Sequence, residues 1–287
     1  MSHAPIVITK SIGGLEHTLY QWDQGSDTTV LFLHGFLDVG LGFTFVVESL
    51  KDTGWNFIAL DWRGHGRSAW IPNGGYYHFI DYVRDLEDCV RQITTENLYV
   101  VGHSMGAMAL TAWLGVTQQH VTGAILLEAL GPMPDLPDHG VSRVVKWLGD
   151  IRGVGQSRYF KDESVIVNKL AKLYTNVPLA SVQRIAKWAT VTEQEGVRWR
   201  YDPLHRTQSP VPIPEGLAIR LWTSIHIPML WVGGADSPWT GERLEWWLGQ
   251  RPTLRRQRLP NAGHMLQYEK PIEVGHCIRS FIEQLSK

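Results

Sequence analysis

Cysteine is scarce in this sequence: Cys89 and Cys277 are the only two in 287 residues. That is too few for a disulfide framework, and each falls on the apolar side of a helical pattern, so both read as reduced core thiols in an expected cytoplasmic setting. Long apolar runs are missing as well, since none approaches the roughly twenty residues of a membrane span. The opening "MSHAPIVITKSIGG" has no basic leader ahead of an apolar stretch, which gives the expectation of a soluble, unexported chain with no membrane partner. There is no excess of one charge: 27 Lys and Arg against 28 Asp and Glu leave a formal −1, which argues against a nucleic-acid partner. The densest basic run, "RRQR" at residues 255–258, sits in what reads as a late strand, where charge commonly blocks edge-to-edge pairing. Twelve histidines are present, but none stands in an H-E-x-x-H or comparable spacing, so no metal is expected. Neither G-x-G-x-x-G nor a Walker pattern occurs, so no cofactor is expected. No internal repeat or low-complexity tract appears, and monomer and homodimer both stay open.

What the chain has in abundance is tryptophan, thirteen in all, and a regular alternation of elements. "IVITKSIGGLEHTLYQW" holds two β-rich runs about a Gly13-Gly14 turn, a hairpin pattern. "TTVLFLHGF" is a continuous apolar run ending in glycine, as in a strand buried on both faces. A helix is expected over residues 42–51, then the strand "NFIALDW". Phe79, Val83, Leu86, Val90 and Ile93 recur at spacings of four and three, which places them on one helix face. The strand "NLYVVGH", a helix to about Gln118 and the strand "TGAILLEAL" follow, predicting an α/β fold with a mostly parallel sheet covered by helices on both sides. From Gly131 to about Pro214 the spacing turns helical with no clear strands, too long for one loop and better read as a helical insertion. Alternation then resumes through "IPMLWVGG", "GERLEWWLGQ" and "TLRRQRL" to a last helix begun by Pro271. The expected division is therefore a core of residues 1–130 and 215–287 carrying an insertion of residues 131–214.

Within "LYVVGHSMGAMAL", Ser104 lies between Gly102 and Gly106 where a buried strand ends and a helix begins, the context in which a sharp turn lifts a serine clear of a sheet. The glycines relieve crowding at such a turn, and the helix N-terminus aims unpaired amides, that of Met105 among them, at any negative charge formed nearby. A serine hydroxyl needs a base, and the base needs a partner to hold its tautomer. His264 in "LPNAGHMLQYEKP" and Asp236 in "WVGGADSPW" both follow strands that end on the same sheet edge as Ser104.

Five ordered motifs, "HGF", "DWRGHGRS", "GHSMG", "GGAD" and "AGH", make the chain resemble serine hydrolases of the α/β-hydrolase fold, over nearly its whole length outside the insertion. The resemblance implies a nucleophile Ser104, a base His264 and an acid Asp236, in the chain order this fold uses. It implies an oxyanion hole from the backbone amides of Phe36 and Met105, and a helical cap where the insertion falls. Some members place the acid one strand earlier, where Glu128 stands in "LLEALGP", so Glu128 is the alternative acid. His34 and His103, together with Asp61, Arg63, His65 and Arg67 of "DWRGHGRS", read as loop-setting polar residues.

The expected chemistry is esterase-like, with water and a small-molecule ester as partners. Trp147, Trp188, Trp199 and Trp239 are pocket candidates that would favour medium-sized apolar groups over charged ones, although cap tryptophans also pack their own helices. The fold hosts other reactions, so C–C bond hydrolases, perhydrolases, hydroxynitrile lyases and triad-retaining ligand receptors stay open. Dehalogenases and most epoxide hydrolases of the fold carry an aspartate where this chain has Ser104.

Overall fold

A computed structural model describes residues 4–132, 140–154, 157–238 and 241–286. Strands β1 (Ile6–Ile12), β2 (Leu15–Trp22), β3 (Thr28–Leu33), β4 (Asn56–Leu60), β5 (Asn97–His103) and β6 (Gly123–Leu127) are interleaved with helices α1 (Thr44–Ser49), α2 (Phe79–Val90) and α3 (Met105–Leu114). Then come α4 (Gly140–Gly153), α5 (Glu163–Leu173), α6 (Leu179–Ala189), the short strands β7 (Thr190–Glu193) and β8 (Gly196–Trp199), and a 3-10 turn at Pro203–Arg206. The chain ends through α7 (Glu215–Thr223), β9 (Met229–Gly234), α8 (Glu242–Gly249), β10 (Arg255–Leu259), α9 (Leu266–Glu269) and α10 (Pro271–Leu285).

Eight strands form one sheet in the order β1-β2-β4-β3-β5-β6-β9-β10. β1 pairs with β2 and β2 with β4 antiparallel, and every later pairing is parallel, the mostly parallel sheet that the alternation predicts. Side chains of a strand point alternately to its two faces. Accordingly Leu31 and Leu33 of β3 join one core with residues of α2, α3, α7 and α8, while Val30 and Phe32 join the opposite core with residues of α1 and α10. This double burial is why β3, β5 and β6 read as unbroken apolar runs. The apolar stripe of α2 faces the first core, with Leu86 and Val90 buried and Phe79, Val83 and Ile93 packed against it. Cys89 on α2 and Cys277 on α10 are both free thiols. Much of the tryptophan is structural: Trp62, Trp113, Trp222, Trp231 and Trp247 are each no more than 2% exposed.

β10 is the sheet's edge, and its four arginine and glutamine residues are exposed. Arg255 lies over Phe281, Arg258 over Trp231, and Arg258 reaches Glu245 at 3.5 Å.

The region read from sequence as free of strands holds the hairpin β7–β8, and Phe160 bridges to Val197. Each strand is only four residues long, too short for alternation to register, although Thr190, Val191 and Thr192 are β-branched and Gly196 takes a φ of +129° that a side chain would resist. This hairpin packs with α5 and α6 in a third apolar cluster that also takes in Phe45 of α1 and Tyr268 of α9, which fixes these elements against α1 and α9.

Candidate active site

Ser104 stands between β5 and α3 with φ +51° and ψ −117°, a conformation costing about 1–3 kcal/mol for a non-glycine residue and held only where the surroundings over-determine it. They do so here. The Ser104 amide donates to Leu127 O at 2.9 Å, which extends the β5–β6 ladder into the turn. A Cβ on Gly106 would lie 2.3 Å from Leu33 O, and one on Gly102 would lie 2.6 Å from the backbone of Ala107, so both glycines are required by the close approach of α3 to the strand ends. The bend projects the hydroxyl beyond the sheet edge, where His264 meets it, with Nε2 3.1 Å from Ser104 Oγ.

The other ring nitrogen corrects the sequence reading. His264 Nδ1 lies 3.0 Å from Glu128 Oε2, and Asp236 is not its partner: Asp236 is exposed, and among the described residues its amide, not its carboxylate, is engaged, donating to Ala262 O at 2.9 Å. β6 and β9 are neighbours in the sheet, so both carboxylates leave the same rim, and backbone direction decides between them. Glu128 has φ +60°, which turns its side chain back over the strand ends, and it is 1% exposed. Its Oε1 accepts from Gly234 N at 2.5 Å, and Oε2 also accepts from Ser237 Oγ. A carboxylate accepts and does not donate, so Nδ1 carries the imidazole proton and Nε2 is left to accept from Ser104. A signal for this was in the sequence: a glutamate inside the apolar run "AILLEAL" is affordable only if its charge is met by donors. Nothing in the sequence pointed to Ser237.

The loop after β3 runs against the serine turn. A Cβ on Gly35 would lie 2.8 Å from His103 Nδ1 and 3.2 Å from Ser104 Cβ, and among the described residues the amides of Phe36 and Met105 donate to no protein acceptor. The "DWRGHGRS" side chains hold this loop and its neighbours in place. His65 Nε2 accepts from Leu37 N at 3.3 Å, and Asp61 accepts from Gly40 N at 2.7 Å, Arg67 N at 2.8 Å and Tyr20 OH at 2.8 Å. Arg63 forms a two-pronged pair with Asp85 at 2.6 and 2.5 Å, and His17 adds a third contact at 3.1 Å. Burial alone would raise the Asp85 carboxyl, but the bonds from Arg63 and His17 hold it below the usual carboxylate range.

His103, read from sequence as loop-setting, and a second set of residues unmarked in the sequence, Asp38, Gln267 and Tyr268, support His264. His103 Nε2 donates to His264 O at 2.8 Å, Gln267 Nε2 reaches His103 Nδ1 at 3.3 Å and Asp38 Oδ2 at 3.2 Å, and Tyr268 OH donates to Asp38 Oδ1 at 2.5 Å. This chain of bonds ties the loop carrying Phe36 to the loop carrying His264. Burial pushes the Asp38 carboxyl up to about 6, against the opposing bonds from Tyr268, Val39 and Gln267.

Beside the site lies a cavity of about 860 Å³, walled on the core side by Phe36, Leu37, Asp38 and Met265 and on the other by residues of α4, α5, α6, β8 and the Pro203–Arg206 turn. Ser104 and His264 are not part of its lining, which comes nearest to them at Met265, next to His264, and at Phe36, next to the Gly35 that lies against Ser104. Of the candidate tryptophans it takes Trp199. Trp188 is drawn instead into the seam between α6 and α1, 5.2 Å from the Phe45 ring and 5.0 Å from the Arg184 guanidinium, and Trp147 packs edge-on to Tyr76 at 5.8 Å. Trp239 lies outside the described residues. Among the described residues no helix is long and apolar enough to cross a membrane, and no cluster of three or more His, Cys, Asp or Glu is arranged to hold a metal ion.

Comparison with known proteins agrees with this architecture. Residues 28–271 match the family model described as alpha/beta hydrolase fold. A serine hydrolase-like protein of Danio rerio is 32% identical over 39% of the chain, a stretch covering 34% of that protein. A Bacillus subtilis protein named putative 2-succinyl-6-hydroxy-2,4-cyclohexadiene-1-carboxylate synthase is 24% identical over 95% of the chain and 96% of its own length. Among solved structures, the thioesterase domain from the curacin biosynthetic pathway superposes with a TM-score of 0.87 at 25% identity, covering 96% of this chain and 99% of that one. With the family model spanning most of the sequence and the sheet order, serine turn and rim histidine in place, the chain belongs to the alpha/beta hydrolase fold family.

Proposed function

We propose that the protein is a serine hydrolase that cleaves carboxylic esters through an acyl-enzyme on Ser104, with His264 as general base and acid and Glu128, in place of Asp236, as the group that orients the imidazole. The observation that carries this reading is the continuous line Ser104 Oγ, His264 Nε2, His264 Nδ1, Glu128 Oε2, with contacts of 3.1 and 3.0 Å. Ser104 loses its proton to Nε2 as its oxygen attacks the carbonyl carbon, and Glu128 stabilises the imidazolium that results. The amides of Phe36 and Met105, which have no acceptor among the described residues, receive the oxyanion, aided by the N-terminus of α3; loss of one such donor typically costs about a hundredfold to a thousandfold in rate. His264 then returns the proton to the leaving alkoxide, the C–O bond breaks, and water attacks the acyl-serine by the same route.

A fluorophosphonate probe tests the assignment. It is expected to modify the wild type at one residue, located by peptide mass spectrometry at Ser104, and 4-nitrophenyl butyrate is expected to turn over many times per enzyme. Labelling that persists in Ser104→Ala, or product release that stops after one equivalent, overturns it. Elimination or synthase-type chemistry on the same three residues is the second reading. It is favoured by the near full-length likeness to the Bacillus subtilis protein, and labelling of Ser104 without turnover on any ester would select it.

A further inference from the structure

The cavity beside the site carries a charge pattern for which an apolar ester has no use. Arg158, Lys169 and Arg206 line it, all three are exposed, and none has a carboxylate partner among the described residues. Neighbouring cations are matched: Arg198 pairs with Glu193 at 2.5 Å, Arg184 with Glu48 at 2.5 Å and Lys146 with Asp150 at 2.7 Å. Arg158 and Lys169 instead converge on one ring, lying 5.4 and 5.7 Å from the centroid of Phe160, so two like charges are gathered with no acid between them. Arg206 meets the phenol of Tyr201, which also lines the cavity. The two acids on the wall are already committed. Asp150 accepts from Lys146 and from Gln208 N, and Asp38 accepts from Tyr268, Gln267 and Val39. Cations of one sign in a concave site with low-dielectric walls focus a positive potential into it.

We propose that this cavity binds an anionic group, a carboxylate or a phosphate, carried by the substrate at a distance from the scissile carbonyl, with Arg158, Lys169 and Arg206 as its counter-charges. The substrate is then an acidic ester or thioester, against the apolar preference that the tryptophans suggest from sequence. The inference rests on the hydrolytic reading for its substrate class, but not for the existence of the anion subsite.

Two matched pairs test it and separate the sources of the anion: mono-4-nitrophenyl adipate against its neutral methyl ester, and butyryl-coenzyme A against butyryl-N-acetylcysteamine. Exposed ion pairs each contribute up to about fivefold, so the wild type is expected to prefer the anionic member of one pair by about tenfold in kcat/KM. The ratio should fall toward one in the triple variant Arg158→Gln, Lys169→Gln, Arg206→Gln and in 1 M salt, roughly where screening acts within a few ångströms. A preference in the first pair identifies a carboxylate and in the second a phosphate. A wild-type ratio of one or below in both pairs, or a ratio that the triple variant retains, overturns the proposal. Calorimetric titration of Ser104→Ala with adipate and with coenzyme A gives a readout without turnover. If no ester is cleaved but binding is seen and the three substitutions abolish it, the subsite stands and the hydrolytic reading falls. Turnover of neutral esters with no anion preference and no binding gives the reverse.

Discussion

Replacing Glu128 with Gln removes one charge and almost no volume, which makes it the sharpest perturbation of the site. The carboxylate fills two acceptor positions, Oε1 toward Gly234 N at 2.5 Å and Oε2 toward His264 Nδ1 at 3.0 Å and Ser237 Oγ, and an amide has one oxygen to offer. With that oxygen toward Gly234, the NH2 faces the imidazole, Nδ1 must accept, and the ring proton moves to Nε2, where it blocks removal of the Ser104 proton. With the oxygen toward His264, the NH2 is buried against the Gly234 N–H, at about 1–3 kcal/mol for the donors left unsatisfied. The wrong tautomer in a serine triad typically lowers kcat by about ten-thousandfold, close to 5.5 kcal/mol. Glu128→Gln is therefore expected to reduce kcat by about a thousandfold to ten-thousandfold with KM little changed. Asp236→Asn, at an exposed carboxylate, should stay within about threefold, as surface substitutions usually do. Initial rates on 4-nitrophenyl butyrate, with thermal melts to show that both variants are folded, decide the matter. A loss above a hundredfold in Asp236→Asn, or Glu128→Gln within tenfold of wild type, refutes the assignment.

Two further substitutions probe the scaffold. In Gly106→Ala the new Cβ would fall 2.3 Å from Leu33 O and 2.7 Å from His34 O, both rigid backbone atoms, so α3 must move off β3; the expected cost is about 3 kcal/mol, seen as a melting temperature lower by about 5 °C, and an unchanged melt contradicts the close approach. Asp38 has its folded-state value raised by burial to about 6, so between pH 4 and 6 the folded protein holds a proton that the unfolded chain has released, and Asp38's contribution to stability declines as pH rises through that window. The unfolding free energy of Asp38→Asn minus that of the wild type should accordingly climb by about 2–3 kcal/mol from pH 4 to pH 7, and urea titrations that show a flat or falling difference would exclude this origin.

The sheet was legible because burial on both faces writes itself as unbroken apolar runs, as in "TTVLFL", and the nucleophile because a strand, a small-residue turn and a helix follow one another without a gap around Ser104. The histidine was legible from its place after a strand end. The acid was harder, because two carboxylates leave adjacent strands at the same rim, and the positive φ of Glu128 that decides between them is marked in the sequence only indirectly, by a glutamate set inside an apolar run. The β7–β8 hairpin was hidden by its brevity, and the Asp38–Gln267–His103 connection by its origin in three separate segments. The tryptophans illustrate a general difficulty: periodicity places Trp188 and Trp199 in the same region, but only packing assigns one to the seam with Phe45 and the other to the cavity wall.

Several imidazoles crowd this rim, and the structure separates one from the rest. His34 is fully buried, with Nδ1 donating to Gly35 O at 2.7 Å and Nε2 accepting from Trp62 N at 3.1 Å, and burial together with nearby His65 holds it well below the ordinary histidine value. Burial pulls His65 down to about 4 and, with the added repulsion of His264, His103 down to about 3. His205, of the Pro203–Arg206 turn, stacks on Tyr77 at 3.8 Å, lies tilted against His65 at 4.1 Å and is depressed for the same reason. Each of these rings spends both nitrogens on fixed partners and stays neutral across pH 5–8. His264 differs: its side chain is 27% exposed and it alone joins a carboxylate to the serine hydroxyl. The buried rings should therefore add no proton to the acid limb of log(kcat/KM) against pH, whose slope in Asp38→Asn should not exceed one. A slope of two that persists in Asp38→Asn, which removes the carboxyl raised to about 6, would mean that one of the buried rings titrates and that burial does not silence them.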